Sequence, residues 1–188
     1  MQEFLSKYIN FSEKEYDSFM SMAAVKKYGK NEYLLNADRP VQKLFFVKSG
    51  LMRGYRIQEG IDVTHHFYVE NWLATDYESY LTGNCGELYI QALVDTTVYE
   101  FDKTNLYAFF GSHEKFEKLR FIQAEDAYLQ MVRRLKSFQC MELKERYLEL
   151  VNKNPEIFDL VPQRQIASYL GVTPQSLSRV KSELSWPC

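Results

Sequence analysis

The side chains best placed to do chemistry lie near the end of this sequence. Leu177, Val180 and Leu184 recur at spacings of 3 and 4, which puts them on one buried face of a helix. Gln175, Ser176, Arg179 and Ser182 are left on the outer face, with Lys181 at its edge. Arginine can fork onto guanine, glutamine onto adenine, and serine can serve a base edge or a phosphate. A helix that reads a major groove enters by its N-terminal residues, so Gln175, Ser176 and Arg179 are the expected base contacts. Just upstream, Ile166, Ala167 and Leu170 form another inward face, and Pro162 suits a helix start because it needs no amide partner there. Gly171 can take the left-handed geometry of a helix stop, and Val172 can plug the corner. Thr173 can cap the second helix, with Pro174 at its first position. Residues 161–184 therefore predict a helix-turn-helix. Arg164, Ser168, Tyr169, Thr173 and Lys181 are its expected DNA-backbone contacts, and the amides near Thr173 can receive a phosphate. The alternative is a helical hairpin used only for packing. Arg164, Arg179 and Lys181 face a single Glu183, so the segment is weakly basic. Affinity for DNA would then lean on dimerisation, which joins two half-sites in one event.

Other reactive groupings are weak. His65-His66 with Glu70 has the residue types of a metal site, but neighbours on a strand point to opposite faces and further ligands are missing. His113 beside Glu114 reads as a helix start. Cys85, Cys140 and Cys188 are scattered and odd in number, which fits free thiols in a reducing, cytoplasmic compartment and cannot supply a four-cysteine iron-sulfur site. No Ser/His/Asp or Cys/His constellation can be assembled. The expectation is no enzyme, no metal and no cofactor.

These groups must be positioned by the rest of the chain. Apolar residues make up 46% of the 188, enough for one substantial core or two small ones. No apolar run approaches the roughly 18 residues of a membrane span, and the start lacks the pattern of a signal peptide. The net charge of -2 argues against nonspecific coating of DNA without excluding a local docking surface. Residues 1 to about 30 read as helical. Ser12 and Glu15 fit a capping box ahead of Tyr16, Phe19, Met20 and Ala23, and Gly29 is the expected stop. From 31 to 112, short β-prone runs alternate with turns: 33–35, 43–48, 51–58, 63–69, 88–93 and 96–101. This predicts a closed or double-layered antiparallel fold. From about 113, Phe121, Ala124, Tyr128, Met131, Leu135 and Phe138 are spaced 3, 4, 3, 4, 3, the stripe of a helix-helix seam. It serves either a dimer interface, the reading preferred here, or burial within one subunit. A shorter helix over 141–153 is stopped by Asn154-Pro155.

Taken together, these segments resemble the Crp/Fnr family of bacterial transcription regulators. The stretch 161–179 is similar to the family's helix-turn-helix, in the form common among Bacteroidetes members. Phe46 to Arg53 resembles its early turn between strands, and Glu78 to Gly83 followed by Ile90 to Leu93 resembles the middle of its sensor domain. The resemblance runs collinearly from about 20 to 184. It implies an α+β chain: an N-terminal antiparallel β-roll (a jelly roll of cyclic-nucleotide-binding type), a long dimerisation helix, and a C-terminal helix-turn-helix domain. The boundaries would be 1–112, 113–137 and 138–188, with no C-terminal wing expected. Gln175 falls where cyclic-AMP-responsive members carry a base-reading glutamate, and Arg179 on their base-reading arginine. Pro174 stands where they have another arginine, which implies a different target sequence.

The same resemblance implies that the sensor is degenerate. Thr75-Asp76 stands where the family cassette has Gly-Glu, and Glu87-Leu88 falls near its phosphate-binding Arg-Ser. A glutamate facing a phosphate would repel it. Cyclic AMP is therefore disfavoured. An unidentified small-molecule effector, or none, stays open, with Trp72, Asp76, Tyr80, Glu87 and Tyr89 as the candidate cavity. The expected partners are a double-stranded DNA operator, a second copy of the chain, and RNA polymerase. A ligand-binding module that does not bind DNA and a cupin-type metal enzyme are the competing readings.

Overall fold

A computed structural model describes residues 1–185, and Cys188 lies outside them. Two short helices open the chain, α1 (Gln2–Ser6) and α2 (Glu13–Met20). The Ser12–Glu15 capping box forms as its residues predict: the Glu15 amide donates to Ser12 Oγ at 3.3 Å and the Ser12 amide to Glu15 Oε2 at 2.8 Å. The helix does not continue to Gly29. Residues Ala23–Tyr28 form strand β1, paired along its length with β8 (Thr96–Asp102). Pairing across the sheet overrides the local helical pattern, because those six residues complete a ladder that no helix there could replace.

The β-roll consists of two four-stranded antiparallel sheets. One has the order β1-β8-β3-β6, with β3 at Lys43–Ser49 and β6 at Leu73–Ala74. The other has the order β2-β7-β4-β5, with β2 at Tyr33–Leu35, β7 at Tyr89–Ala92, β4 at Met52–Gln58 and β5 at Ile61–Tyr68. Inward residues of both sheets, Phe45, Val47, Met52, Ile90, Ala92 and Val98, are buried against one another. Each strand expected from the sequence is present within two residues at either end.

Helix α3 (Tyr77–Thr82) lies between β6 and β7, and α4 (Lys103–Ser112) follows β8. Helix α4 was not foreseen as an element of its own. Its phenylalanines, Phe109 and Phe110, join Phe19, Phe46, Phe101 and Phe116 in a second core that clamps the N-terminal helices to the sheet. Then comes the long helix α5 (Glu114–Cys140), 27 residues or about 40 Å. Helices α6 (Leu143–Lys153), α7 (Ile157–Leu160), α8 (Gln163–Tyr169) and α9 (Pro174–Ser185) complete the chain, and no strand follows α5 among the described residues.

A third core joins the two halves. Leu51, Phe67 and Leu93 of the β-roll are buried with Leu150, Ile157, Val161, Ile166, Ala167, Leu170 and Leu177 of the terminal helices. No helix among the described residues is long and apolar enough to cross a membrane.

Candidate nucleic-acid interface and ligand cavity

The terminal helix pair is built as its residue types dictate. Pro162 occupies the N-cap of α8, and Ile166, Ala167 and Leu170 are buried beneath it. Gly171 has φ +71°, and a β-carbon there would stand 2.7 Å from Phe138 Cε1. Both the turn and the close approach of that ring require glycine. Thr173 caps α9, its Oγ1 accepting from the Ser176 amide at 3.2 Å and lying 3.0 Å from Ser176 Oγ. Leu177 is fully buried, while Gln175, Arg179 and Lys181 are exposed and Ser176 is half-buried at the cap. One face of α9 is thus held down and the other is open and polar.

The expected backbone contacts divide into two groups. Arg164 and Thr173 are exposed. Ser168 and Tyr169 instead face the β-roll. Ser168 Oγ accepts from the Thr64 amide of β5 at 2.8 Å and lies 3.4 Å from the Asp62 carbonyl. The Tyr169 ring packs 5.2 Å from Phe67. Strand β5 is an edge strand with free backbone groups, and α8 covers it. Beneath that contact, Arg53 is buried, donating to Asp62 at 2.6 Å and to Thr64 Oγ1 at 2.8 Å. An ion pair of this kind fixes the strand that receives α8.

On α5, the expected seam is open. Phe121 is 55% exposed, Tyr128 69%, Met131 52%, Leu135 59% and Phe138 41%. Ala124 is half-buried. Leu129 and Val132, absent from the sequence reading, are equally uncovered. Apolar side chains are thus left exposed along about 25 Å of helix.

Between β-roll, α5 and terminal helices lies a cavity of about 990 Å³. Trp72, Asp76 and Tyr80 line it as expected. Glu87 and Tyr89 do not. Glu87 is exposed, 3.6 Å from Arg56 Nε, and Tyr89 stacks on Tyr55 away from the cavity, at 5.3 Å. The period of two along β7, with Leu88 and Ile90 buried, turns these neighbours to the other side. The buried Asp76 carboxylate caps α3 and accepts from the amides of Ser79, Glu87 and Leu88, each at 3.2 Å. Gly86 leaves room for it, since a β-carbon there would lie 2.8 Å from Asp76 Oδ2.

His65 and His66 both line the cavity, contrary to the alternation expected of adjacent strand residues. The reason is a β-bulge: Gly54 pairs with His66 and Tyr55 with Thr64, so His65 is an extra residue in the ladder. His66 is enclosed by Tyr68 and Trp72, each 4.9 Å away, and its pKa is pushed down to about 3 by burial, then by the charge of Arg134. Burial followed by the charges of Arg56 and Arg134 lowers His65. No group of three or more metal-ligating side chains exists among the described residues.

Residues 25–113 match the family described as the cyclic nucleotide-binding domain. FixK2 from Bradyrhizobium japonicum superposes with a TM-score of 0.72 at 20% identity, covering 86% of this chain and 84% of that one. The chain has the two-domain Crp/Fnr fold. The c-di-GMP-responsive global regulator CLP of Xanthomonas campestris gives 0.70 at 14% identity, over 92% and 91% of the two chains. A CooA mutant from Carboxydothermus hydrogenoformans gives 0.66 at 18%, over 89% and 78%. No curated protein matches in sequence. Within this Crp/Fnr fold, the cavity residues that sequence reasoning missed include Arg56, His65, His66, Arg134 and Arg146. The bulge that turns in the histidines leaves no mark in a single sequence.

Proposed function

We propose that the chain is a dimeric, sequence-specific DNA-binding transcription regulator of Crp/Fnr type. The observation that carries this reading is α9: Leu177 fully buried beneath, with Gln175 and Arg179 open to a groove above. Residues 1–112 would act as sensor, 113–137 as dimerisation helix and 138–188 as the DNA-binding unit. The exposed seam from Phe121 to Phe138 would pack against a second copy along α5 and so set two recognition helices on one duplex. RNA polymerase is the partner through which promoter output changes. The experiment is selection from a random duplex pool with purified protein. An inverted repeat is the expected product, and the absence of any enriched sequence refutes the reading.

The sensor does not respond to cyclic AMP in this account. The Glu87 and Leu88 amides, which stand where the family cassette meets a phosphate, already donate to the chain's own Asp76 carboxylate. A second anion there would be repelled by Asp76. An effector, if it is to move α8 off β5, must act through the cavity that touches both. Isothermal titration with cyclic AMP checks this, and saturable binding would contradict it.

A further inference from the structure

Helix α8 ends in a Schellman turn. The Val172 amide donates to Ala167 O at 3.0 Å and the Gly171 amide to Ser168 O at 3.1 Å. An α-helix leaves its last four carbonyls without intrahelical partners, and this turn serves two of them. The other two, on Tyr169 and Leu170, are each taken by an arginine from a different helix. Arg134 of α5 donates through Nη2 to Tyr169 O at 3.1 Å, and Arg146 of α6 through Nη2 to Leu170 O at 3.2 Å. Arg146 also donates through Nη1 to the carbonyl of Met141, the residue that caps α5, at 2.7 Å. One guanidinium thus ties the end of α5 to the end of α8.

Aromatic rings complete this joint. The Arg134 guanidinium lies 4.1 Å over the Tyr169 ring and 4.9 Å over that of Phe138, and Arg146 lies 5.3 Å from the Phe138 centroid. Phe138 also presses on Gly171, the turn residue between the two helices of the motif. Neither arginine belongs to an ion pair among the described residues. Both charges are directed at the carboxyl end of α8, where the helix dipole favours a cation. Helix α9 starts at Pro174, three residues beyond Gly171, and Leu177 holds it in one core with Ile166 and Leu170. The chain of contacts therefore runs from α5 to α8 and from α8 to α9.

We propose that Arg134 and Arg146 are positioning residues that hold α9 at one angle to α5 and so set the half-site spacing that the dimer accepts. The proposal rests on the regulator reading above and adds what fixes the geometry of its operator. In a two-fold dimer each recognition helix is placed by the α5 that carries it. One base pair added between half-sites moves the far one by about 3.4 Å and turns it by about 35° around the duplex. A clamped pair of helices cannot follow both changes, and must give up base contacts or deform the DNA. Helices released from the clamp can follow them.

The test has two arms, both on the full chain. In the first, fluorescence anisotropy compares the selected operator with the same half-sites set one base pair further apart. Wild type should bind the lengthened operator at least about tenfold more weakly, the loss expected for one base contact or more. Arg134→Met and Arg146→Met keep side-chain bulk and lose the donors. In each, that ratio should fall to about threefold or less, with the penalties for single-base changes inside a half-site kept within about twofold of wild type. A clamp that served stability alone would weaken binding to every duplex alike and leave the ratio unmoved. The second arm reads the DNA-free protein by amide residual dipolar couplings. Those of α5 and α9 should fit one alignment tensor in wild type, and the α9 couplings should shrink relative to α5 in each variant. Wild type that binds both spacings equally overturns the proposal and needs no variant to fold. Folded variants with an unchanged spacing ratio or unchanged couplings overturn it as well. In all these cases the selected operator still stands, and with it the regulator reading. A wild type that selects no operator removes that reading, and the spacing claim with it, whatever the couplings show.

Discussion

Leu135→Ala tests the dimer seam most sharply. Leu135 sits on the open side of α5 and is 59% exposed. Covering the rest of a leucine side chain is worth roughly 1–2 kcal/mol. Truncation to alanine forfeits most of that, and a two-fold interface counts each position twice. The cost to association is therefore about 2–3 kcal/mol per dimer, or roughly 30- to 150-fold in Kd. Stability of the single chain should move little, because the lost methyl groups touch solvent there. Sedimentation velocity over a dilution series reads both species. Wild type should stay dimeric to concentrations at which the variant is mostly monomer. A wild type that is monomeric throughout, or a variant with unchanged Kd, refutes the seam.

Three further outcomes follow from the joint and the cavity. His66 takes up a proton near pH 6.5 when unfolded but only near pH 3 in the fold. The unfolded state binds more protons across that window, so stability falls as pH drops below about 6.5, by up to about 1.4 kcal/mol per pH unit. Urea denaturation at pH 7.5 and 5 should show the loss in wild type and a smaller one in His66→Phe; equal losses would contradict the burial argument. Gly171→Ala must strain a left-handed backbone and meet Phe138 at 2.7 Å, costing about 1–3 kcal/mol. In a double-mutant cycle, Phe138→Ala should recover only the steric share, and full additivity of the two changes would show that the contact is not felt. Ser168→Ala leaves the Thr64 amide without its acceptor and should cost about 1–2 kcal/mol. Amide exchange at Thr64 should accelerate, and unchanged exchange would mean that α8 does not hold β5.

Legibility in the sequence followed the range of the forces involved. The helix-turn-helix was readable because its determinants are local: Gly171 for the turn, Thr173 for the cap, and Ile166, Leu170 and Leu177 at helical spacing. The strands were readable because turn residues punctuate them. Residues Ala23–Tyr28 read as helix because Tyr16, Phe19, Met20 and Ala23 keep helical spacing, yet their partner lies some 70 positions away in β8. Distance in sequence hid the pairing. The cavity was only half legible for the same reason. Trp72, Asp76 and Tyr80 were placed by the family cassette, whereas Glu87 and Tyr89 depended on a strand register that the sequence leaves open. His65 and His66 required a bulge, and Arg134 and Arg146 required knowing which side of α5 and α6 meets the β-roll. Ser168 and Tyr169 were assigned by their position on α8, without regard to the edge strand that claims them in this structure.

Operator selection by this chain requires the outer face of α9 to read bases. Fluorescence anisotropy of wild type and Arg179→Ala on the selected operator, and on every single-base variant of one half-site, measures that face directly. Wild type should pay about 1–3 kcal/mol at the base pair met by Arg179, and the alanine variant should lose that penalty while keeping its preferences elsewhere. An Arg179→Ala protein whose preferences match wild type at every position would contradict the account.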